Sequence, residues 1–339
     1  MAQSSKESRL AGKRYLVTGG TGFIGTALIK GLLAAGASVR AFDNNSRGSK
    51  EKLGREVGQA ELIVGDIRDS NAVENVVRGV DGVCHLAYVN GTEFFYTKPE
   101  VVLEVAVKGM MNVIDACVKF GVPELVLASS SEVYHAPRSV PTDETVPLIV
   151  PDVLNPRYSY SGGKIISELL ALNFGRKHFQ RVLIIRPHNV YGPEMGREHV
   201  IPQFALRMRE LPRNDQGAVP FEIQGTGQET RSFIYLEDAV DGILRVMEKG
   251  EHLGVYHIGS AEEITIERLA REIGRYFGLD IAVVPGALRA GSPPRRCPDI
   301  SKVRQLGFEP RTSLREGLAV TVRWYDEHAQ SKPSVQNVQ

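Results

Sequence analysis

Short apolar runs alternate with longer amphipathic stretches through the first two thirds of this 339-residue chain. "RYLVTG" (14–19) reads as a strand, and "IGTALIKGLLAAG" (24–36) as a helix closed by glycine. "SVRAFD", "ELIVGD" and "GVCHLA" supply three more strands, ending at Asp43, Asp66 and Ala87. A long helical pattern spans about 99–120, "ELVLASS" is a fifth strand, and "RVLIIRP" (181–187) is a sixth, with a helix between them around residue 160. Strands separated by helical patterns predict βαβ units and a parallel sheet covered on both faces. Beyond Gly192 the pattern is less regular and richer in proline. "FIYLEDAVDGILRVME" predicts a short strand and a helix, and "VYHIGS" (255–260) a late strand able to rejoin the sheet. Residues 261–328 predict a smaller α/β lobe. The segment from His135 to Pro156 has neither period and holds five prolines, the pattern of a functional flap.

Composition removes several function classes. The net charge of +1 provides no global field for nucleic acid or an acidic membrane surface, so neither is an expected partner. The three cysteines are far apart and lack metal-ligand spacing, which fits a reducing compartment, no disulfide framework and no metal. The start "MAQSSKESRL" lacks the apolar core of a signal peptide, and no apolar run approaches the roughly 20 residues of a membrane span. A cytoplasmic protein is expected, with flexible tails at 1–12 and 329–339.

The first strand runs into "TGGTGFIG", which sets Gly19, Gly22 and Gly25 at G-x-x-G-x-x-G spacing and opens a helix with Phe23 and Ile24. Glycines there permit a tight turn, bring backbone N–H groups up to a pyrophosphate, and let the helix pack close to the sheet. The position between an apolar strand and a helix is what makes the signal strong. Asp43, ending the second strand, is placed to accept both ribose hydroxyls of an adenosine and to repel a 2′-phosphate, so NAD is preferred over NADP. Arg47 weakens that preference, since a guanidinium holds a 2′-phosphate. Asp66 either reaches the adenine edge or caps its strand.

"NPRYSYSGGKIISE" places Tyr160 and Lys164 four apart, on one face of a helix, and pairs Tyr158 with Gly162 by the same rule. An ammonium beside a phenol lowers its pKa from about 10 and suits it to general-base work. A serine at the end of the fifth strand is placed to hydrogen-bond a substrate hydroxyl, and Ser129, Ser130 and Ser131 are all candidates.

These motifs occur together with "HLA", "SSSEVY", "RPHNVYGP", "TRSFIYLEDAVDGI" and "LGFEPRTSLREGL". Over about residues 13–327 the chain resembles the extended short-chain dehydrogenases/reductases, and within them the NAD-dependent nucleotide-sugar epimerase/dehydratase family, including UDP-glucose 4-epimerases. The resemblance implies an α/β fold: a Rossmann-type doubly wound parallel sheet (13–190 plus about 233–260) with a smaller C-terminal α/β substrate lobe (about 191–232 plus 261–328), and a homodimer. It implies NAD as cofactor, held by the glycine turn, Asp43, Asn44, Arg47, Asp66, Ile67, Leu86, Ala87, Tyr88, Tyr160, Lys164 and Pro187. The resemblance also implies that Tyr160 takes the sugar 4-OH proton, that Lys164 holds the nicotinamide ribose, and that Ser130 is the catalytic serine. Ser131, His188, Asn189, Val200, Gln203, Arg231 and Arg296 fall at substrate positions, the two arginines clamping a diphosphate.

Three departures bear on the reaction. Ala106 stands where the family's N-V-x-G-T carries asparagine, His188 replaces a phenylalanine, and "VYG" has become "VYH" at His135. Ser131-Glu132 is similar to UDP-glucuronate decarboxylases and unlike the Asp-Glu of 4,6-dehydratases. Yet Ser161, Gly162 and Gly163 stand where decarboxylases carry acidic residues. Glu132 is either an acid–base group or a structural carboxylate. The two glycines cost a helix roughly 2 kcal/mol relative to alanine, so they suggest a close approach by a neighbour. The resemblance implies 4-epimerisation through a 4-keto sugar. Alternatives are 4-dehydrogenation, as in enzymes acting on nucleotide-activated heptoses, dehydration, decarboxylation, or a non-catalytic NAD-binding scaffold.

Overall fold

The computed structural model describes residues 8–213, 217–287 and 293–330. Seven strands form one parallel sheet: β1 (Arg14–Thr18), β2 (Ser38–Asp43), β3 (Ala60–Val64), β4 (Gly82–His85), β5 (Glu124–Ala128), β6 (Arg181–Pro187) and β7 (Gly254–Ile258). Their order is β7-β6-β5-β4-β1-β2-β3. The late strand does rejoin the sheet, with Gly254 opposite Leu183 and Ile258 opposite Pro187. The chain runs outward from β1 to β3 and then crosses back to β4. That reversal opens a crevice beyond the C-terminal ends of β1 and β4, where ligands bind in sheets of this kind.

The alternation along each strand divides the interior into two cores. Tyr15 and Val17 of β1 face one side with the helices Phe23–Ala34 and Leu236–Lys249, while Leu16 faces the other. Leu183 and Ile185 of β6 likewise separate from Val182 and Ile184. The second core is covered by Ser70–Val77, the helical stretch 99–120 and the Tyr160 helix, Tyr158–His178. The stretch 99–120 is interrupted by one π-helical turn, Val105–Gly109, between Pro99–Glu104 and Met110–Phe120. A third core joins helices Val200–Arg209, Ile266–Tyr276 and Leu314–Glu327 with the parallel strands Val219–Gln224 and Ile281–Gly286.

Leu10 is buried in the first core, and the Arg9 backbone N–H donates to Glu248 at 3.0 Å, so the part of the 1–12 segment that is described packs on the domain. Residues 1–7 and 331–339, most of the two expected tails, lie outside the described residues. The 135–156 segment forms neither helix nor strand. It is tied to the 297–299 segment through Thr142, whose N–H donates to the Cys297 carbonyl at 2.9 Å and whose carbonyl accepts from the Asp299 N–H at 2.7 Å. Among the described residues no helix is long and apolar enough to cross a membrane.

Candidate active site

A cleft of about 1020 Å³ opens along the C-terminal ends of the strands. At its inner end the chain leaves β1 through Gly19, whose φ of +71° belongs to the left-handed region that favours glycine. A Cβ there would stand 2.7 Å from the Ala87 nitrogen, and one on Gly25 would stand 2.1 Å from the Gly19 carbonyl oxygen. Gly22 has only the Gly19 oxygen near its vacant Cβ position, at 3.1 Å, and it lines the cleft. The turn therefore presents backbone with no side chain over it at the start of a helix, a cradle that fits a dinucleotide pyrophosphate.

Asp43 closes β2 on the cleft wall, accepting from the Thr21 N–H at 3.1 Å and the Asn45 N–H at 2.8 Å. Asn44 donates to Asp66 at 3.0 Å. Burial alone would raise the Asp66 pKa, but hydrogen bonds from Arg68 and Asn44 outweigh it and hold the carboxyl at about 2. Ile67, Leu86, Ala87, Tyr88, Phe23, Ile24 and Pro187 line the same wall. Arg47 lines the same cleft. Its guanidinium pairs with Glu198, 151 positions further along, and lies 5.3 Å over the Phe94 ring. With Lys52 donating to the Glu194 carbonyl at 3.1 Å, this pair ties the loop after β2 to the segment 194–198 across the cleft. Asp43 repels a 2′-phosphate, and Arg47 would have to give up part of its pairing with Glu198 to hold one. Calorimetric titration is expected to show NAD binding at least ten times tighter than NADP, and Glu198→Gln, which frees Arg47, is expected to narrow that ratio.

At the other end, Ser130 sits at the end of β5 as the cap of a short turn, accepting from the Glu132 N–H at 3.2 Å. Tyr160 lines the same wall as Ser130, and its ring stacks on Phe95 at 4.7 Å. Burial pushes the Tyr160 phenol up to about 12, against the lowering effect of the neighbouring Ser130 hydroxyl. The lysine does not counter this as the i, i+4 spacing suggests. Lys164 donates to the Ala128 carbonyl at 2.6 Å, and its nitrogen lies 3.7 Å over the Tyr88 ring but 5.9 Å from the Tyr160 ring. Burial lowers Lys164 to about 7, opposed by Glu168. Tyr158 turns away, its hydroxyl 3.2 Å from His135 Nε2, and it is not on the cleft wall.

Beside Tyr160, Glu132 meets Arg296 at 2.6 Å and Arg157 at 3.9 Å. Burial opposes ionisation of Glu132, but these guanidiniums prevail and hold its pKa below the usual glutamate range. Arg231 lies beside Arg296 in the strand register, and burial together with that neighbour lowers its pKa to about 10. Ser131, Asn189 and Val200 also line the cleft, Asn189 donating to the Ser232 carbonyl at 2.7 Å.

Three residues expected at substrate positions do not line the cleft. Arg231 donates to the Thr230 carbonyl at 2.7 Å and acts on Glu132 through its charge. Gln203 is exposed and donates to the Glu198 carbonyl at 3.0 Å. His188 is buried and turned away from the cleft, its ring 4.7 Å from that of His257. Its backbone N–H donates to the Ile258 carbonyl at 2.8 Å, so pairing of β6 with β7 sets the direction of the ring. Sequence reasoning missed Arg157 and Glu198. Arg157 was legible from its place three residues before Tyr160; Glu198 had no local signal, because its partner lies in a distant loop.

A model of the NAD-dependent epimerase/dehydratase family matches residues 15–259. The chain is 34% identical over 314 residues to UDP-glucuronic acid decarboxylase 6 of Arabidopsis thaliana, covering 90% of this chain and 86% of that one. The dTDP-glucose 4,6-dehydratase of Streptomyces venezuelae, solved with NAD and TYD bound, superposes with a TM-score of 0.83 at 31% identity, covering 95% of this chain and 99% of the other. A UDP-glucose 4-epimerase of Thermotoga maritima, solved with UDP-glucose, gives a TM-score of 0.81 at 28% identity over 94% and 100% of the two chains. Likenesses that run from the first strand of the sheet to the last, in sequence and in structure alike, make this chain a member of the NAD-dependent epimerase/dehydratase family of extended short-chain dehydrogenases/reductases, with NAD as its cofactor.

Proposed function

We propose that the protein oxidises C4 of a nucleotide-diphosphate sugar to a 4-keto intermediate and epimerises it. The observation that carries this reading is the gathering of Ser130, Tyr160 and Lys164 on the wall of the cleft that holds the glycine cradle. NAD, held by the glycine turn and Asp43, would supply the hydride acceptor for C4 and the hydride donor for the ketone. Tyr160 takes the 4-OH proton through or beside the Ser130 hydroxyl, and gives it back when the ketone is reduced. Arg296 and Arg157 neutralise the nucleotide diphosphate. Asn189 and Ser131 line the space left for the sugar. Turnover of the ketone between the two half-reactions inverts C4 and leaves the cofactor unchanged.

A second reading is favoured by the guanidiniums gathered around Glu132 and by the likeness to UDP-glucuronic acid decarboxylases. A 4-ketone makes a C6 carboxylate a β-keto acid. The C5–C6 bond then breaks, CO₂ leaves, the electron pair enters the C4 enolate, and a proton is returned to C5. An inert scaffold has no use for a buried phenol set beside Ser130 and Lys164 on the cleft wall.

Incubation with UDP-, GDP-, CDP- and dTDP-sugars in deuterated water, read by NMR of the products, separates the readings. The epimerase reading expects a 4-epimer without deuterium at C5, and unchanged product from Glu132→Gln. CO₂ release from UDP-glucuronate with deuterium at C5 would replace it by the decarboxylase. No product and no bound NADH with any sugar would overturn both.

A further inference from the structure

Tyr88, Ala106 and Gly163 meet around Lys164, and each is needed for the others to fit. A Cβ on Gly163 would stand 2.3 Å from the Tyr88 hydroxyl oxygen and 2.6 Å from the Ala106 Cβ. Any larger residue at 163 would expel the phenol, and the asparagine that the family motif places at 106 would compete for the same space. Ala106 lies in the π-helical turn 105–109, and Ser167 ties that turn to the Tyr160 helix, its hydroxyl 3.2 Å from the Ala106 carbonyl and 2.9 Å from that of Gly163. Turns of this type recur at functional sites. Into the space so made comes Tyr88. Its hydroxyl donates to the Tyr160 carbonyl at 3.2 Å, its ring meets the Tyr160 ring edge-on at 5.1 Å, and its face carries the Lys164 nitrogen at 3.7 Å.

We propose that Tyr88 is a positioning residue for Lys164, with its ring face as the seat of the ammonium and its hydroxyl as the tie to Tyr160, and that Ala106 and Gly163 are small in order to admit it. An ammonium within about 6 Å of an aromatic face is attracted by the ring quadrupole, and most strongly when both are out of water. Here Lys164 and Tyr160 are buried and the Ala128 carbonyl is the other partner of the ammonium. The charged or titratable groups facing Lys164 are Tyr88, Tyr160, Glu168 and His85. His85 is held neutral at neutral pH, burial lowering it to about 3. Glu168 is the sole anion among them, and it is already engaged by Arg186. The ring face therefore supplies stabilisation of the charged lysine that no nearby free carboxylate provides. The inference rests on reading Lys164 as the cation of the cofactor side, and its test uses no sugar, so it fails independently of the proposed reaction.

The test labels lysine side chains with ¹³C at Cε in the protein as purified and again with saturating NAD, using Lys164→Arg to identify the signal. Loss of the ring face disfavours the charged form, so Tyr88→Leu is expected to titrate Lys164 at a midpoint about one pH unit lower. Tyr88→Phe keeps the face and is expected to titrate as the unsubstituted protein does. Incorporation of 4-fluorophenylalanine at position 88, which puts one fluorine where the hydroxyl stands and has no acidic proton, draws charge from the ring face, and it is expected to lower the midpoint relative to Tyr88→Phe even if Tyr88→Leu does not fold. A midpoint unmoved by fluorination, or raised in Tyr88→Leu, overturns the proposal.

Discussion

Tyr160→Phe is expected to reduce hydride transfer by about 10²–10⁴-fold, the range lost with a positioned acid–base group, while NAD remains bound. The substitution removes one oxygen and keeps the ring that stacks on Phe95 and meets Tyr88 edge-on, so the walls of the cleft stay in place. Absorbance of NADH during a single turnover reads the chemical step, and calorimetry reads the cofactor. Tyr158→Phe is the control. Its hydroxyl faces His135 outside the cleft, and turnover is expected within about twofold of the unsubstituted enzyme. Near-native hydride transfer by Tyr160→Phe would remove Tyr160 from the mechanism, whatever the substrate proves to be.

Glu168→Ala is expected to lower stability by about 3–5 kcal/mol, because it strips a buried guanidinium of its counter-ion. Arg186 Nε and Nη2 reach the two Glu168 oxygens at 2.9 and 2.6 Å, and the two side chains are only 5% and 3% exposed. Arg186 also contacts the Tyr134 hydroxyl and donates to the Glu144 carbonyl at 3.2 Å, so its loss of charge balance spreads into the 135–156 segment. Chemical denaturation checks the figure. Replacing both residues by apolar ones of similar volume, Arg186→Met with Glu168→Leu, is expected to recover most of the loss, since neither charge then remains buried alone. An exposed pair sets the contrast: the Arg304–Glu309 side chains are 44% and 61% exposed, and Glu309→Gln is expected to shift stability by no more than about 1 kcal/mol. Glu168 lies one turn beyond Lys164 and favours its charged form, so Glu168→Ala also lowers the Lys164 midpoint.

The features legible in the linear chain were those whose physics is local. The glycine turn needs its residues at particular places because backbone meets backbone within eight positions, as at Gly25 against Gly19. Asp43 is a strand end, and strand ends of a parallel sheet face the ligand. Tyr160 and Lys164 share a helix face by spacing alone. The late strand at 254–258 was legible as a strand, and its β-branched and aromatic residues fitted the open edge beside β6.

What the spacing did not show was direction and partnership. Lys164 is four residues from Tyr160, yet its ammonium lies on Tyr88, which arrives from the end of β4, 76 positions earlier in the chain. Arg47 lines the cleft, but its pairing with Glu198 could not be read from the chain. His188, which the resemblance set at a substrate position, packs its ring against His257, where β7 pairs beside β6. The sequence by itself thus determined the doubly wound sheet, the dinucleotide cradle and the helix that carries the phenol, since hydrophobic period, glycine spacing and helical pitch are properties of neighbours along the chain. Only the tertiary structure decided which charges are neutralised, which side of the cleft each ring faces, and why residue 163 is glycine, because those depend on contacts between segments that meet only after the sheet has formed.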